Sequence, residues 1–142
     1  MATYILGKNT TKNLETLLIS GTGESQLLVR AVKDFICDTP IDFCVIENGG
    51  FRTTEDQQKL FRKGVSKCDG INKKSYHQSG LAVDLVPWVN GKPTWESKHA
   101  FYLAGAFMAY CNRMDLPITP GADWNRDGNL KDGWDPCHFQ IE

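Results

Sequence analysis

Two hydrophobic periods alternate along the chain. Leu14, Leu17 and Leu18 recur at helical spacing after Thr10 and Thr11, which can cap, and Gly21 ends the run. Between Ser25 and Asp38, the residues Leu28, Ala31, Val32, Phe35 and Ile36 fall on one face of a second helix, stopped by Pro40. Phe43–Glu47 has strand character and delivers the chain to Gly49, Gly50 and Arg52. From Thr53 a short amphipathic helix carries Gln57, Leu60 and Phe61 and closes at Gly64. Leu81–Val86 reads as a strand and Ser97–Met114 as a helix with Phe101, Ala104, Phe107, Met108 and Cys111 inward. His138–Ile141 reads as a terminal strand. The mixture predicts an α+β fold.

No repeat, low-complexity tract or composition break marks a linker, and 142 residues with 41% hydrophobic content suffice for one domain over 1–142 with its own core. The 16 basic and 17 acidic residues nearly cancel, so the overall field favours neither nucleic acid nor an anionic membrane surface. Cys37, Cys44, Cys68, Cys111 and Cys137 are odd in number and lack a CxxC pair, which argues for reduced thiols. The start, MATYILGKNTTKNL, shows no basic-then-apolar leader, and no apolar run approaches the ~20 residues of a membrane span. The expectation is a monomer made in the cytoplasm without stable membrane insertion, reaching any external substrate by another route.

Imidazole is scarce, with only His77, His99 and His138. The segment Ser75-Tyr76-His77-Gln78-Ser79-Gly80-Leu81-Ala82-Val83-Asp84 sets a histidine in a loop and an aspartate inside an otherwise apolar strand. A carboxylate there costs several kcal/mol unless it is paired or bound to a cation. Asp135-Pro136-Cys137-His138 supplies the second imidazole with a carboxylate three residues earlier. Three ligands from His and Asp, with one position left to water, form the arrangement zinc uses in hydrolysis. His77, Asp84 and His138 are the ligands on this reading, and Asp135 is the general base. Arg52 is the cation for a substrate carboxylate or a developing oxyanion. Spacing alone leaves open whether these distant segments meet.

Asp123, Asn125, Asp127 and Asn129 alternate as in a calcium loop, with Gly128 for a turn and Asp132 as a substitute last ligand; Trp134 occupies the place of the usual glutamate. The competing reading is a polar turn of Asp, Asn and Gly. Trp88, Trp95, Trp124 and Trp134 suit either core or groove, the last two being the better candidates for substrate contact. His99 and the basic stretch Arg62–Lys67 read as solvated positions.

The pattern SxHxxGxAxD followed by [ED]xxH, with Gly50-Phe51-Arg52-Thr53 and Gln57 upstream, resembles the zinc peptidases of the D-alanyl-D-alanine carboxypeptidase and hedgehog superfamily. It is most similar to the phage endolysins acting as L-alanyl-D-glutamate endopeptidases. The similarity runs from about Phe43 to the carboxyl end. It implies a small antiparallel sheet flanked by helices, one catalytic zinc on His77, Asp84 and His138, Asp135 as base, and substrate contacts from Arg52, Ser75 and Trp134. It also implies a peptidoglycan stem peptide as substrate, no added wall-binding domain, and a separate membrane-permeabilising protein during host lysis. Cys137 departs from the family, where an aromatic residue or histidine is common. Two rivals remain: a D,D-carboxypeptidase, and a non-catalytic zinc-binding module, against which the spare carboxylate of Asp135 speaks.

Overall fold

The computed structural model describes residues 7–142; the first six, part of the stretch read for a leader, lie outside the described residues. Helices α1 (Lys8–Ser20) and α2 (Ser25–Phe35) form a hairpin, followed by strand β1 (Phe43–Cys44), helix α3 (Thr54–Arg62) and a single 3-10 turn at Tyr76–Ser79. Strands β2 (Ala82–Asp84), β3 (Val86–Val89) and β4 (Lys92–Pro93) precede helix α4 (Ser97–Arg113), and β5 (Ile118–Pro120) and β6 (His138–Ile141) complete the fold. The α+β expectation holds, although the sheet is two small antiparallel ones, β1-β3-β4 and β2-β6-β5.

Leu81–Val86 therefore divides. Ala82–Asp84 pairs with β6, Val86 turns to β1, and Leu85 carries the chain between sheets with its N–H on the Cys137 carbonyl at 2.9 Å. The first strand is also shorter than its pattern. After Cys44 the backbone pairs with α1 side chains: Val45 N–H donates to Thr10 Oγ1 at 3.1 Å and Asn13 Nδ2 donates to the Val45 carbonyl at 2.8 Å. Thr10 is accordingly not a cap; Gly7 holds that position without a side-chain bond.

The core follows most of the helical faces read from the sequence, while Leu18 and Phe61 are exposed. Leu14, Leu17, Leu28, Val32, Phe35 and Phe107 are fully buried. Phe107 joins α4 to the sheet, with its ring centroid 5.0 Å from Phe35 and 4.8 Å from Phe139 of β6. Side chains alternate along a strand, so seating Phe139 in this core turns His138 and Gln140 to the opposite face. Burying a phenyl ring contributes roughly 2–3 kcal/mol, and that packing fixes which face of β6 carries the imidazole.

Candidate metal centre

Three segments deliver the polar cluster. Asp84 and His138 are cross-strand partners in the β2–β6 ladder, and Asp84 N–H also donates to the Gly49 carbonyl at 2.7 Å. His77 arrives on the 3-10 turn, which a capping box holds: Ser75 Oγ accepts from His77 N–H at 3.2 Å and Gln78 Oε1 accepts from Ser75 N–H at 2.9 Å. Gly80 closes the turn at φ +71°, and a Cβ there would lie 2.5 Å from the Gly21 Cα, so only glycine fits beside the α1–α2 hairpin. Ser25 Oγ locks that contact by donating to the Gly80 carbonyl at 2.6 Å.

The result is a buried trio. His77 Nε2 lies 3.4 Å from Asp84 Oδ1 and 3.2 Å from His138 Nδ1, and His138 Nδ1 is 3.4 Å from Asp84 Oδ1. Each imidazole spends its other nitrogen elsewhere. His77 Nδ1 donates to the Gly50 carbonyl at 2.8 Å, and His138 Nε2 donates to Gln140 Oε1 at 2.8 Å. The facing nitrogens thus hold lone pairs toward each other and toward a carboxylate oxygen, an arrangement that needs a positive charge among them, a proton or a metal ion. Among the described residues, His77, Asp84 and His138 are the group able to hold a metal.

Electrostatics agree. Burial works against the charge of Asp84, but His77, and the hydrogen bonds that His138 and His77 donate when protonated, outweigh it and hold this carboxyl well below the usual range. Burial pushes His77 down, against the pull of the Asp84 carboxylate. For His138 burial also opposes the charge, yet the Asp84 hydrogen bond and the Asp84 and Asp135 charges pull it up.

Asp135 stands beside this group, with Oδ2 at 3.9 Å from His138 Nδ1. Burial first, and then the Asp84 carboxylate, push its carboxyl above the ordinary value. Its backbone is pinned to Gly121, whose carbonyl accepts from Asp135 N–H at 3.2 Å. A Cβ on Gly121 would fall 2.1 Å from the Asp135 carbonyl oxygen.

Arg52 is largely engaged within the protein. Its Nε donates to the Asn48 carbonyl at 2.7 Å, one terminal nitrogen to Gln57 Oε1 at 3.1 Å and the other to Asp84 Oδ2 at 3.2 Å. Gln57, fully buried on α3, is held in turn by Ser66 Oγ and the Cys68 carbonyl, each at 2.9 Å. The carboxylate of Asp84 is thereby divided, Oδ1 toward the imidazoles and Oδ2 toward the guanidinium. Ser75, also expected at the substrate, has its hydroxyl on His77 N–H in a buried position.

An aromatic wall flanks the cluster: Trp124 is 5.5 Å from His138 and 5.5 Å from Trp134, which is exposed and carries the Lys67 ammonium 4.4 Å above its ring. Cys137 lies between Asp135 and His138, buried, with its thiol pushed up to about 12 chiefly by burial, and outside the His77, Asp84 and His138 group. Trp88 and Trp95 are exposed, and His99 pairs with Glu96 at 3.5 Å.

The Asp123–Asp132 loop folds on its own backbone. Asp123 Oδ2 accepts from Gly128 N–H at 2.8 Å, Asp127 Oδ1 from Asn129 N–H at 2.7 Å, Asn125 Oδ1 from Asp127 N–H at 3.2 Å and Asn129 Oδ1 from Lys131 N–H at 3.2 Å. These bonds match the polar-turn reading, and the loop's carboxylates form no metal-holding group. Asp132 Oδ2 accepts from Asn125 N–H at 3.1 Å, while its Oδ1 is buried without a partner.

Gln57, Gly121 and Gln140 were not singled out for these roles in the sequence. Gln140 had a usable signal, because a residue two positions after a strand ligand shares its face.

Residues 3–141 match the family described as phage L-alanyl-D-glutamate peptidase. The chain is 30% identical over 130 residues to the L-alanyl-D-glutamate peptidase of Escherichia phage T5, covering 91% of this chain and 88% of that protein. Its fold is similar to the crystal structure of the Serratia marcescens L-Ala D-Glu endopeptidase ChiX. The TM-score is 0.69 at 24% identity, over 95% of this chain and 87% of the other.

Proposed function

This chain belongs to the phage L-alanyl-D-glutamate peptidase family, and we propose that its chemistry is carried by zinc on His77, Asp84 and His138 with Asp135 as general base. It is a peptidoglycan peptidase of the endolysin type, hydrolysing the L-alanyl-D-glutamate bond of the stem peptide. One observation carries the zinc reading. The three donor atoms stand 3.2–3.4 Å apart, and a tetrahedral centre with bonds of about 2.0–2.1 Å sets its ligands roughly 3.3 Å apart.

Zinc in such a site polarises a carbonyl and makes water a nucleophile near neutral pH. The chain's own groups do the rest. Asp135 takes the proton of the attacking water and returns it to the leaving amine; its raised pKa suits both transfers. Arg52 spends three of its five N–H groups on Asn48, Gln57 and Asp84, leaving two for a substrate oxygen. Trp134 and Trp124 offer an apolar wall beside His138 for the peptide. Ser75, assigned to substrate by resemblance, acts on this reading through the turn that carries His77.

No described helix is long and apolar enough to cross a membrane. In our reading the enzyme is a cytoplasmically made monomer, with no nucleic-acid partner, admitted to the wall by a separate membrane-permeabilising protein.

The test is digestion of purified Gram-negative peptidoglycan by zinc-loaded and chelator-stripped protein, followed by mass spectrometry with end-group analysis. Zinc-dependent release of peptides beginning with D-glutamate is expected. Release of free D-alanine would identify a D,D-carboxypeptidase instead, and no cleavage would identify a binding module.

A further inference from the structure

The second nitrogen of His138 leads away from the proposed metal centre along a chain of polar groups that runs from buried Gln140 to exposed Glu142. His138 and Gln140 share one face of β6, and both are buried. His138 Nε2 and Gln140 Oε1 are 2.8 Å apart, Gln140 Nε2 donates to Glu142 Oε1 at 2.8 Å, and Thr119 Oγ1 donates to Glu142 Oε2 at 3.0 Å. Thr119 is the β5 residue registered with Gln140, so the ladder itself aligns the chain.

The direction of each bond follows from the inventory of donors and acceptors. An ionised carboxylate only accepts, so Glu142 must face the amide nitrogen of Gln140. That orientation presents the amide oxygen to His138, which must then carry its proton on Nε2. Nδ1 is left with a lone pair facing Asp84 Oδ1 and His77 Nε2. The neighbouring ligand reaches the same end differently, since His77 donates from Nδ1 to the Gly50 carbonyl, a backbone group that no side-chain substitution removes.

We propose that Glu142, acting through Gln140, is a positioning relay that sets the tautomer of His138 and strengthens it as a metal ligand. The inference rests on the zinc reading for its second half only; the tautomer belongs to the protein with or without metal. A carboxylate polarising an amide makes the amide oxygen the better acceptor, and a firmer Nε2–H bond makes Nδ1 the better donor of its lone pair. Neither residue touches substrate on this account.

Two readouts test it, zinc affinity by competition with a chromophoric chelator and side-chain nitrogen-15 shifts, which three histidines keep uncrowded. Gln140→Leu should weaken zinc binding about 10–100-fold. Glu142→Ala, at an exposed residue whose loss spares the core, should weaken it less, by roughly threefold to tenfold. Glu142→Gln, whose amide oxygen accepts the same bond, should fall between Glu142→Ala and the unsubstituted protein. In the metal-free protein at alkaline pH, His138 should be protonated on Nε2, and Glu142→Ala should shift it toward a tautomer mixture. Zinc affinities within twofold of the unsubstituted protein for both Gln140→Leu and Glu142→Ala overturn the relay, as does an unprotonated Nε2. A protein that binds no zinc yet shows the Nε2 proton overturns the metal centre and supports the tautomer half of the relay.

Discussion

Asp84 and His138 face one another across β2 and β6 in residue-to-residue register, with Asp84 Oδ1 at 3.4 Å from His138 Nδ1. Two ligands of the proposed centre are thus set by backbone pairing, and a one-residue slip of either strand would turn its side chain away from the other. His77 comes from a turn, and its placement depends on Ser75, Gly80 and the Gly50 carbonyl.

The Arg52–Asp84 pair gives the first prediction. Both side chains are about nine-tenths buried and 3.2 Å apart, so Asp84→Asn leaves a guanidinium without its anion. Breaking such a pair costs about 3–5 kcal/mol. Urea denaturation of metal-free Asp84→Asn should show a loss of that order, together with loss of zinc; unchanged stability would show that Arg52 does not depend on Asp84.

Arg52→Lys should separate orientation from mere charge. An ammonium cannot serve Asn48, Gln57 and Asp84 in the fork geometry of a guanidinium. We expect kcat or zinc affinity to fall roughly 10–100-fold, the range for partners that orient metal ligands. A steady-state assay with parallel zinc titration checks this, and full activity in the lysine variant would contradict it.

Gly121→Ala tests how the base is placed. The added Cβ would meet the Asp135 carbonyl oxygen at 2.1 Å, so the segment before His138 must move. A displacement near 1 Å costs about 100-fold in rate. The variant should keep the fold by circular dichroism and lose about that factor in kcat; a rate within threefold of the unsubstituted enzyme argues against tight placement of Asp135.

Asp135 should also penalise stability. A carboxyl raised in the folded protein binds its proton more readily there than in the unfolded chain, so the two states balance best at low pH. The penalty is absent below the unfolded value of about 3.9 and grows as pH rises through the higher folded one. At pH 7 the metal-free Asp135→Asn variant should therefore melt above the unsubstituted protein, and at pH 3 the gap should close. Equal melting temperatures at pH 7 would contradict the environment assigned to Asp135.

The helices and the His77, Asp84 and His138 cluster were legible in the sequence for different reasons. Leu14, Leu28, Phe35 and Phe107 recur at helical period and sit in the core, because tertiary packing agrees with local pattern. Asp84 stood out as a carboxylate in an apolar strand. The split at Leu85 was hidden, because residues buried in two different sheets read as one apolar run. The first strand stopped early because Thr10 and Asn13 took the backbone bonds of Val45, a long-range exchange with no local signature. Arg52 was found by its motif, but its dependence on buried Gln57 was not, since partnership between separate elements leaves no spacing to read.

The most direct test of the centre is one preparation of Asp135→Asn, assayed for bound zinc by elemental analysis and for cleavage of peptidoglycan. The account predicts zinc near one per chain with the rate reduced about 10²–10⁴-fold, the contribution of a general base. Unchanged zinc content and unchanged rate would contradict it and remove Asp135 from the chemistry.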